Sequence, residues 1–259
     1  MFSTHNISLS QIPHLSSCAS CKSWFTQNIL DSETASHLYA TGSSDSKWVR
    51  NLKFEESKSK NITQRLELYL RQDVNLLDIG CNTGELLDFA RSRGCVTAGV
   101  ELSETSQNIL KDKGHYFFGS LDAVEGQYDV ITAFDVVEHL YDVPIFLDRV
   151  ESLLSKGGVF IFLTGDIKSL SARLSVQRWW YLKAPEHIGF PSIDFFKNLK
   201  EWVVKSVDKT YASAGYRKLF IWGLAQFLRK TFFKGGYDGL SSLGPDHMLV
   251  VMEKKTNIL

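Results

Sequence analysis

Between residues 74 and 165, short apolar runs alternate with amphipathic stretches at steady intervals. VNLLDIG (74–80) is too short and too uniformly apolar for a surface helix and predicts a buried strand. ELLDFARSRG (85–94) places apolar residues at helical spacing and ends on glycine, a helix with its stop signal. CVTAGVELS (95–103) predicts a second strand, and SETSQNILKDKG (103–114) a helix with Ser103 as N-cap. HYFFG and YDVITAF predict two more strands. VPIFLDRVESLLSKGG (143–158) predicts a helix closed by a glycine pair, and VFIFLTG (159–165) a fifth strand. Strands separated by helices of this length pair in parallel and are covered on both faces. The expected fold is therefore α/β: a doubly wound Rossmann-like sheet, mostly parallel, with helices on both faces.

Outside this stretch the pattern changes. KNITQRLELYLRQ (60–72) predicts a helix leading into the domain, through Ile62, Leu66, Tyr69 and Leu70. IDFFKNLKEW predicts another, started near Ser192 or Asp194. WVVKSVDKTY and HMLVVMEKK predict a C-terminal antiparallel hairpin. The first 60 residues are serine-rich and aperiodic, which reads as loop or disorder. The expected division is an N-terminal extension at 1–59 and a catalytic domain at 60–259, with substrate-lid elements near 166–191 and 215–240.

Acidic and basic side chains balance at 29 each, so no global positive charge favours a nucleic-acid partner. No apolar run is long enough to span a bilayer, and residues 1–17 lack the charged-then-apolar order of a signal peptide. Four cysteines form no disulfide framework, and the expected location is cytoplasmic. RKLFIWGLAQFLRKTFF (217–233) is basic at intervals and apolar between. It suits peripheral membrane contact near a lipid-like substrate, or a buried lid or dimer contact.

The chemistry concentrates where strands end. After the first strand the chain reads D-I-G-C-N-T-G, from Asp78 through Gly80 to Gly84. Such a turn sits at the carboxyl edge of the sheet, where doubly wound folds bind ligands. Dinucleotides, nucleoside triphosphates and S-adenosylmethionine (SAM) are all held by glycine turns of this general kind. A dinucleotide turn reads G-x-G-x-x-G, whereas this one reads G-x-N-x-G. The Gly84-Glu85-Leu86 ending lacks the lysine of a triphosphate loop. Asp78 is awkward beside a pyrophosphate and suits a ligand carrying an ammonium group. Glu101, ending the second strand, can accept from both hydroxyls of a ribose. That property serves an adenosine ligand without separating NAD from SAM. FDVVEHL (134–140) adds an Asp and a Glu-His pair at the same edge, which a nicotinamide-dependent oxidoreductase does not specifically need.

LLDIGCNTGELL, GVELS, YDVITAFDVVEHL and LLSKGGVFIF, in that order, resemble the class I SAM-dependent methyltransferases. The resemblance is to the branch containing the ubiquinone-biosynthesis O-methyltransferases and related small-molecule enzymes; it is strong over 60–165 and loose beyond. It implies SAM as cofactor and methyl transfer to an oxygen or carbon nucleophile of a small-molecule acceptor, with an apolar or lipid-like acceptor as one option. Protein or tRNA methylation is the alternative, and a non-catalytic adenosine-binding protein a further one. By this resemblance Asp78, Gly80, Cys81 and Gly84 form the cofactor turn, and Glu101 holds the ribose. Leu102, Ser120, Leu121 and Asp122 surround the adenine, while Phe134 and Asp135 line the methionine end. Asn82 stands where many members have a third glycine, and asparagine tolerates the left-handed angles required.

A hydroxyl acceptor needs a base, and histidine titrates in the right range. His139 in DVVEHL and His187 in APEHIGFPS are the two candidates, with Glu138 as an orienting group or metal ligand. The tandem aromatics Trp179, Trp180 and Tyr181 are read as a substrate wall or as core. Cys81 and Cys95 read as small buried residues. Cys18 and Cys21 have the C-x-x-C spacing of a zinc half-site, but only one such pair exists, and His5, His14 and His37 match no standard spacing. A thioredoxin-like redox role does not fit, because the pair does not follow a strand in a thioredoxin-like pattern.

Overall fold

A computed structural model describes residues 14–27, 30–40, 53–183, 185–212 and 242–255. The expected 215–240 lid and the 217–233 segment therefore lie outside the described residues. The central strands are β3 (Asn75–Ile79), β4 (Val96–Val100), β5 (Tyr116–Phe118), β6 (Tyr128–Phe134) and β7 (Leu154–Gly165). They pair in parallel in the order β5-β4-β3-β6-β7. β10 (His247–Lys254) then inserts antiparallel between β7 and β9 (Trp202–Thr210). The seven-stranded sheet matches the expected class, and its last two strands pair as expected.

Both faces of this sheet are buried because successive residues of each strand enter opposite layers. Leu77, Phe160, Phe162 and Val250 pack into one layer, while Leu76, Ile161, Leu163 and Val251 pack into the other. Helices α3 (Lys60–Glu67), α4 (Glu85–Arg91), α5 (Glu104–Asp112) and α6 (Val143–Leu153) flank the sheet. Ser103 caps α5 by accepting from the Ser106 N–H, and Asp142 caps α6 by accepting from Ile145. α8 (Ile193–Lys197) starts on Ser192, whose hydroxyl accepts from the amides of Asp194 and Phe195.

Two elements are shorter than their patterns suggest. α6 stops at Leu153, and Leu154 already pairs with Tyr128 at the start of β7, so the sheet claims residues that helical periodicity alone leaves in the helix. α3 stops at Glu67, and Leu70 is buried from the turn beyond it.

The larger departure is at the N-terminus, where loop was expected. β1 (Leu15–Ser17) and β2 (Trp24–Thr26) form a ribbon that pairs with β8 (Gly189–Phe190) as a separate three-stranded sheet. α1 (Ser32–Ala40) and α2 (Phe54–Ser57) follow. Phe54 is buried in the main core, with its ring 5.1 Å from that of Phe89 and 6.0 Å from that of Phe134. These elements are held by partners far along the chain, which local composition does not register. Among the described residues, no helix is long and apolar enough to cross a membrane.

Phe162 shows where the stability lies: it is fully buried, 5.2 Å from the Phe160 ring and 4.6 Å from the Phe196 ring. Phe162→Ala is expected to cost about 3–5 kcal/mol of unfolding free energy in urea titration. A loss below about 1 kcal/mol would contradict this packing.

Candidate functional site

The carboxyl ends of β3, β4 and β6 open into a cavity of about 820 Å³. The turn after β3 forms its floor. Gly80 has φ +73°, and a Cβ there would lie 2.7 Å from Val136 Cγ2, so both conformation and space require glycine. Asn82 adopts φ +47°, the left-handed geometry expected of it. Its side chain accepts from Ser106 Oγ at 2.9 Å.

The amides of this turn are committed inside the protein. Gly80 and Cys81 N–H groups donate to the Val100 carbonyl at 2.8 and 3.1 Å. The Gly84 N–H donates to Cys81, and the Asn82 N–H donates to Glu101 Oε2 at 2.8 Å. A pyrophosphate cradle needs such N–H groups aimed at the ligand. What faces the cavity instead is acidic: Asp78, Glu101 and Asp135 line it, with Glu85. A turn whose amides are spent internally, beside these carboxyl groups, suits an ammonium better than a pyrophosphate.

That decides between the ligand classes, and comparison with known proteins agrees. A family model described as "Methyltransferase domain" matches residues 52–201. The chain belongs to this methyltransferase family. No curated protein matches it in sequence. Among solved structures, a SAM-dependent methyltransferase from Listeria monocytogenes is 14% identical, over 74% of this chain and 96% of that one, with a TM-score of 0.52. The magnesium protoporphyrin IX methyltransferase of Synechocystis PCC 6803, solved with SAH, is 14% identical over 76% and 81%, TM-score 0.52. The cyclase SpnF is 11% identical over 88% and 97%, TM-score 0.59. These likenesses establish the fold. The protein is a SAM-dependent methyltransferase, and SAM is its cofactor.

Most of the predicted cofactor residues meet at the cavity: Asp78, Gly80, Cys81, Glu101, Leu102, Leu121, Phe134 and Asp135. Gly84 stands behind the lining, at φ +84° as the N-cap of α4. Ser120 and Asp122 also fall outside the lining. In the turn after β5, Leu121 packs against the core while Asp122 is exposed, its carbonyl accepting from Arg149. Glu101 is braced for a ligand, since its second oxygen accepts from the Ser103 N–H at 2.8 Å.

Asp78 is only 4% exposed and accepts from Thr132 Oγ1 at 2.7 Å. Burial pushes its carboxyl up to about 7 despite that bond. Asp135 behaves oppositely. Against the cost of burial, the Lys58 ammonium at 2.9 Å and the nearby His247 hold it down to about 2. Asp135 sits at φ +57°, a strained angle for a non-glycine residue beside an active site.

Lys58, Ser57, Phe54 and Ala35 reach the cavity from α1, α2 and the linker before α3. None was singled out from sequence. Lys58 lies in a polar run, KSK, whose composition reads as solvated surface.

The other side of the cavity holds both candidate histidines. Their rings stand 4.6 Å apart and perpendicular. His139 Nδ1 lies 2.8 Å from the Glu186 carbonyl, and His187 Nδ1 lies 2.7 Å from that of Tyr181. A carbonyl only accepts, so each Nδ1 carries the proton and each Nε2 the lone pair of the neutral ring. His187 is buried, and burial holds it neutral, well below the ordinary histidine range. His139 is partly exposed.

Glu138, next to His139 in the turn that follows β6, has no exposure at all. It accepts from the Tyr181 hydroxyl and from Thr164 Oγ1 at 2.9 Å. Burial, and then the neighbouring Asp135, push its carboxyl up. One ligand atom each from Glu138, His139 and His187 lies within 4.8 Å of the others. Two imidazoles with Nδ1–H engaged by carbonyls, plus a carboxylate, could hold a divalent cation. Among the described residues, Cys18 and Cys21 join no such group of three.

The tandem aromatics divide between the two readings offered for them. Trp179 is core, packed with Phe190 and Ile167, while Trp180 and Tyr181 line the cavity. Both indoles donate to Asp246 Oδ2, at 3.3 and 2.6 Å, and His247 Nδ1 lies 2.9 Å from Asp246 Oδ1. Asp246 was missed in sequence because its partners are more than 60 residues away.

The state of Asp78 has a measurable signature. Its folded value, about 7, lies above the ordinary 3.8. It therefore adds stability that is complete below pH ~4 and lost as pH rises through ~7. In the ligand-free protein, Asp78→Asn should gain about 1–3 kcal/mol relative to wild type between about pH 5 and pH 8, by urea unfolding at both. A difference that does not change with pH would mean that Asp78 is ionised throughout.

Proposed function

We propose that this protein methylates an oxygen or carbon nucleophile on a small molecule, with His139 as general base. The observation carrying this reading is the histidine pair with pinned tautomers, facing the same cavity as Asp78 and Glu101. The bound cofactor supplies an electrophilic methyl on sulfur, and the chain's residues do the rest. Asp78 meets the ammonium of the methionine portion, and Glu101 accepts from the ribose hydroxyls. Leu102 and Leu121 bracket the adenine, with Ser120 and Asp122 at its rim. Phe134 and Asp135 flank the methionine end.

The acceptor enters beneath Trp180, Tyr181 and Tyr141, whose rings exclude water from the reacting centre. His139 takes the proton of the attacking hydroxyl on Nε2, while the Glu186 carbonyl keeps Nδ1 protonated. His187 is a poor proton acceptor because its charged form is disfavoured by burial. Its ring instead fixes that of His139 edge to face. A cavity of about 820 Å³, shared by cofactor and acceptor, supports a small acceptor. The EHL string and the aromatic wall favour the branch resembling the ubiquinone-biosynthesis O-methyltransferases.

A second reading rests on the same three side chains: Glu138, His139 and His187 bind a divalent cation that holds the acceptor's oxygen. A chelator separates the two. Activity that survives chelation belongs to His139 as base, whereas loss restored by added metal belongs to the cation.

Titration with SAM and with SAH tests the cofactor half. Glu101→Ala should weaken both by roughly ten- to a hundredfold, the worth of a charged hydrogen-bonding pair. Equal affinity in the variant would remove Glu101 from the ribose. Acceptors are then screened with labelled methyl groups. On the acceptor found, His139→Gln should lower kcat by about 100- to 10,000-fold and leave SAM affinity within twofold. A kcat within tenfold of wild type would remove His139 as base.

A further inference from the structure

The connection from β5 to β6 runs GSLDAVEGQ (119–127), a polar segment bracketed by glycines, with Gly126 at φ +91°. Such a segment has weak conformational preferences of its own. Val124 is 2% exposed, in the core, and Leu121 packs against the same core while lining the cavity. A backbone bond from the Val124 N–H to the Leu121 carbonyl, at 3.2 Å, closes the turn on itself.

The tie between this turn and the rest of the domain comes from α6. Arg149 is partly buried on that helix, and its guanidinium reaches the turn's backbone. Nη2 donates to the Val124 carbonyl at 2.5 Å and to that of Asp122 at 3.4 Å. Nε and Nη2 both donate to the Leu121 carbonyl at 3.4 Å. Nη1 donates to Ser152 Oγ at 3.3 Å, and that hydroxyl donates back to the Arg149 carbonyl at 2.7 Å, which steadies the fork from behind.

A guanidinium offers five N–H donors in one rigid plane and commonly meets a carboxylate. Here it gathers three carbonyl dipoles from four consecutive residues. Each carbonyl drawn to the cation fixes the peptide plane it belongs to, and charge-assisted bonds of this kind outweigh the turn's own preferences. α6 also begins directly after the histidine turn, since its cap, Asp142, follows the cavity residue Tyr141. One helix thus joins the Tyr141 wall to the Leu121 turn.

We propose that Arg149 is a positioning residue for cofactor recognition: by gathering the carbonyls of Leu121, Asp122 and Val124, it sets the turn that reads the adenine base. This rests on the proposed placement of Leu121 and Asp122 at the adenine. Arg149 acts through the turn and is not one of the cavity-lining residues. The amino group of adenine donates to an acceptor such as the Asp122 carboxylate, whereas hypoxanthine carries a carbonyl at that position, which a carboxylate repels. Discrimination between the two bases therefore reports where the turn stands.

The test measures, on the full chain, calorimetric affinity for SAH and for its deaminated analogue S-inosylhomocysteine. Wild type should prefer SAH by roughly tenfold or more, the worth of a charged hydrogen bond. Arg149→Met keeps a stem of similar length. It should weaken SAH roughly tenfold and the analogue less than about twofold, so the preference collapses. Arg149→Lys keeps the charge but has one ammonium for three carbonyls, and should fall between the two. A merely structural role would weaken both ligands by the same factor and leave the preference intact. That result would overturn the proposal, as would a Met variant that binds both ligands like wild type. Amide hydrogen exchange separates this failure from that of the underlying placement. SAH should slow exchange at Leu121, Asp122 and Ala123 several-fold in wild type. A wild-type protein that shows neither this protection nor a preference for adenine would remove the turn from the base, and the proposal with it.

Discussion

Glu138 is the point through which the histidine side of the cavity is tied together. A carboxylate with no exposure is costly unless its oxygens are used, and here Tyr181 and Thr164 use them. Tyr181 brings the aromatic wall, Thr164 anchors the carboxylate to β7, and the Glu138 carbonyl holds Ile188 next to His187. The segments that carry Thr164, Tyr181 and Ile188 are all tied to this one residue. The tautomers of the two histidines are set beside it, by the carbonyls of Glu186 and Tyr181.

The cofactor side is organised differently. Its geometry comes from the ends of parallel strands and from a turn whose amides are consumed by Val100 and Glu101. That side is stiff before any ligand arrives, so little ordering remains to be done on binding. The acceptor side is assembled from side chains on longer connections, including α1 and the linker before α3. A stiff floor beside a wall assembled from distant segments lets one fold serve many acceptors.

The legible parts of the molecule are those where local pattern and tertiary role coincide. β3 to β7 are apolar runs bounded by glycines, and the turn at Asp78–Gly84 carries its conformation in its residue types. Asn82, standing for a glycine, adopts the left-handed angle that its chemistry permits. What was hidden depends on distant partners. The β1–β2 ribbon exists because Trp24 and Phe25 find β8, some 165 residues on. Lys58 matters because it meets Asp135, and Asp246 because two indoles reach it. Ser120 and Asp122 were placed near the adenine by likeness, yet Leu121, packed against the core, alone of that turn lines the cavity.

The place of β10 has a consequence for how the chain acquires its fold. Among the described strands β10 comes last in sequence but sits inside the sheet, with Met248 to Met252 wholly buried between β7 and β9. Until those residues leave the ribosome, β9 has no partner among the other described strands of the sheet, and the edge of β7 that β10 covers is open to other chains. The cofactor half can form early from contacts close in sequence. The acceptor half waits, because Asp246 and His247, which hold the tandem tryptophans, arrive with that same final strand. On the proposed division of the cavity, competence to bind the donor therefore precedes, during synthesis, competence to use it.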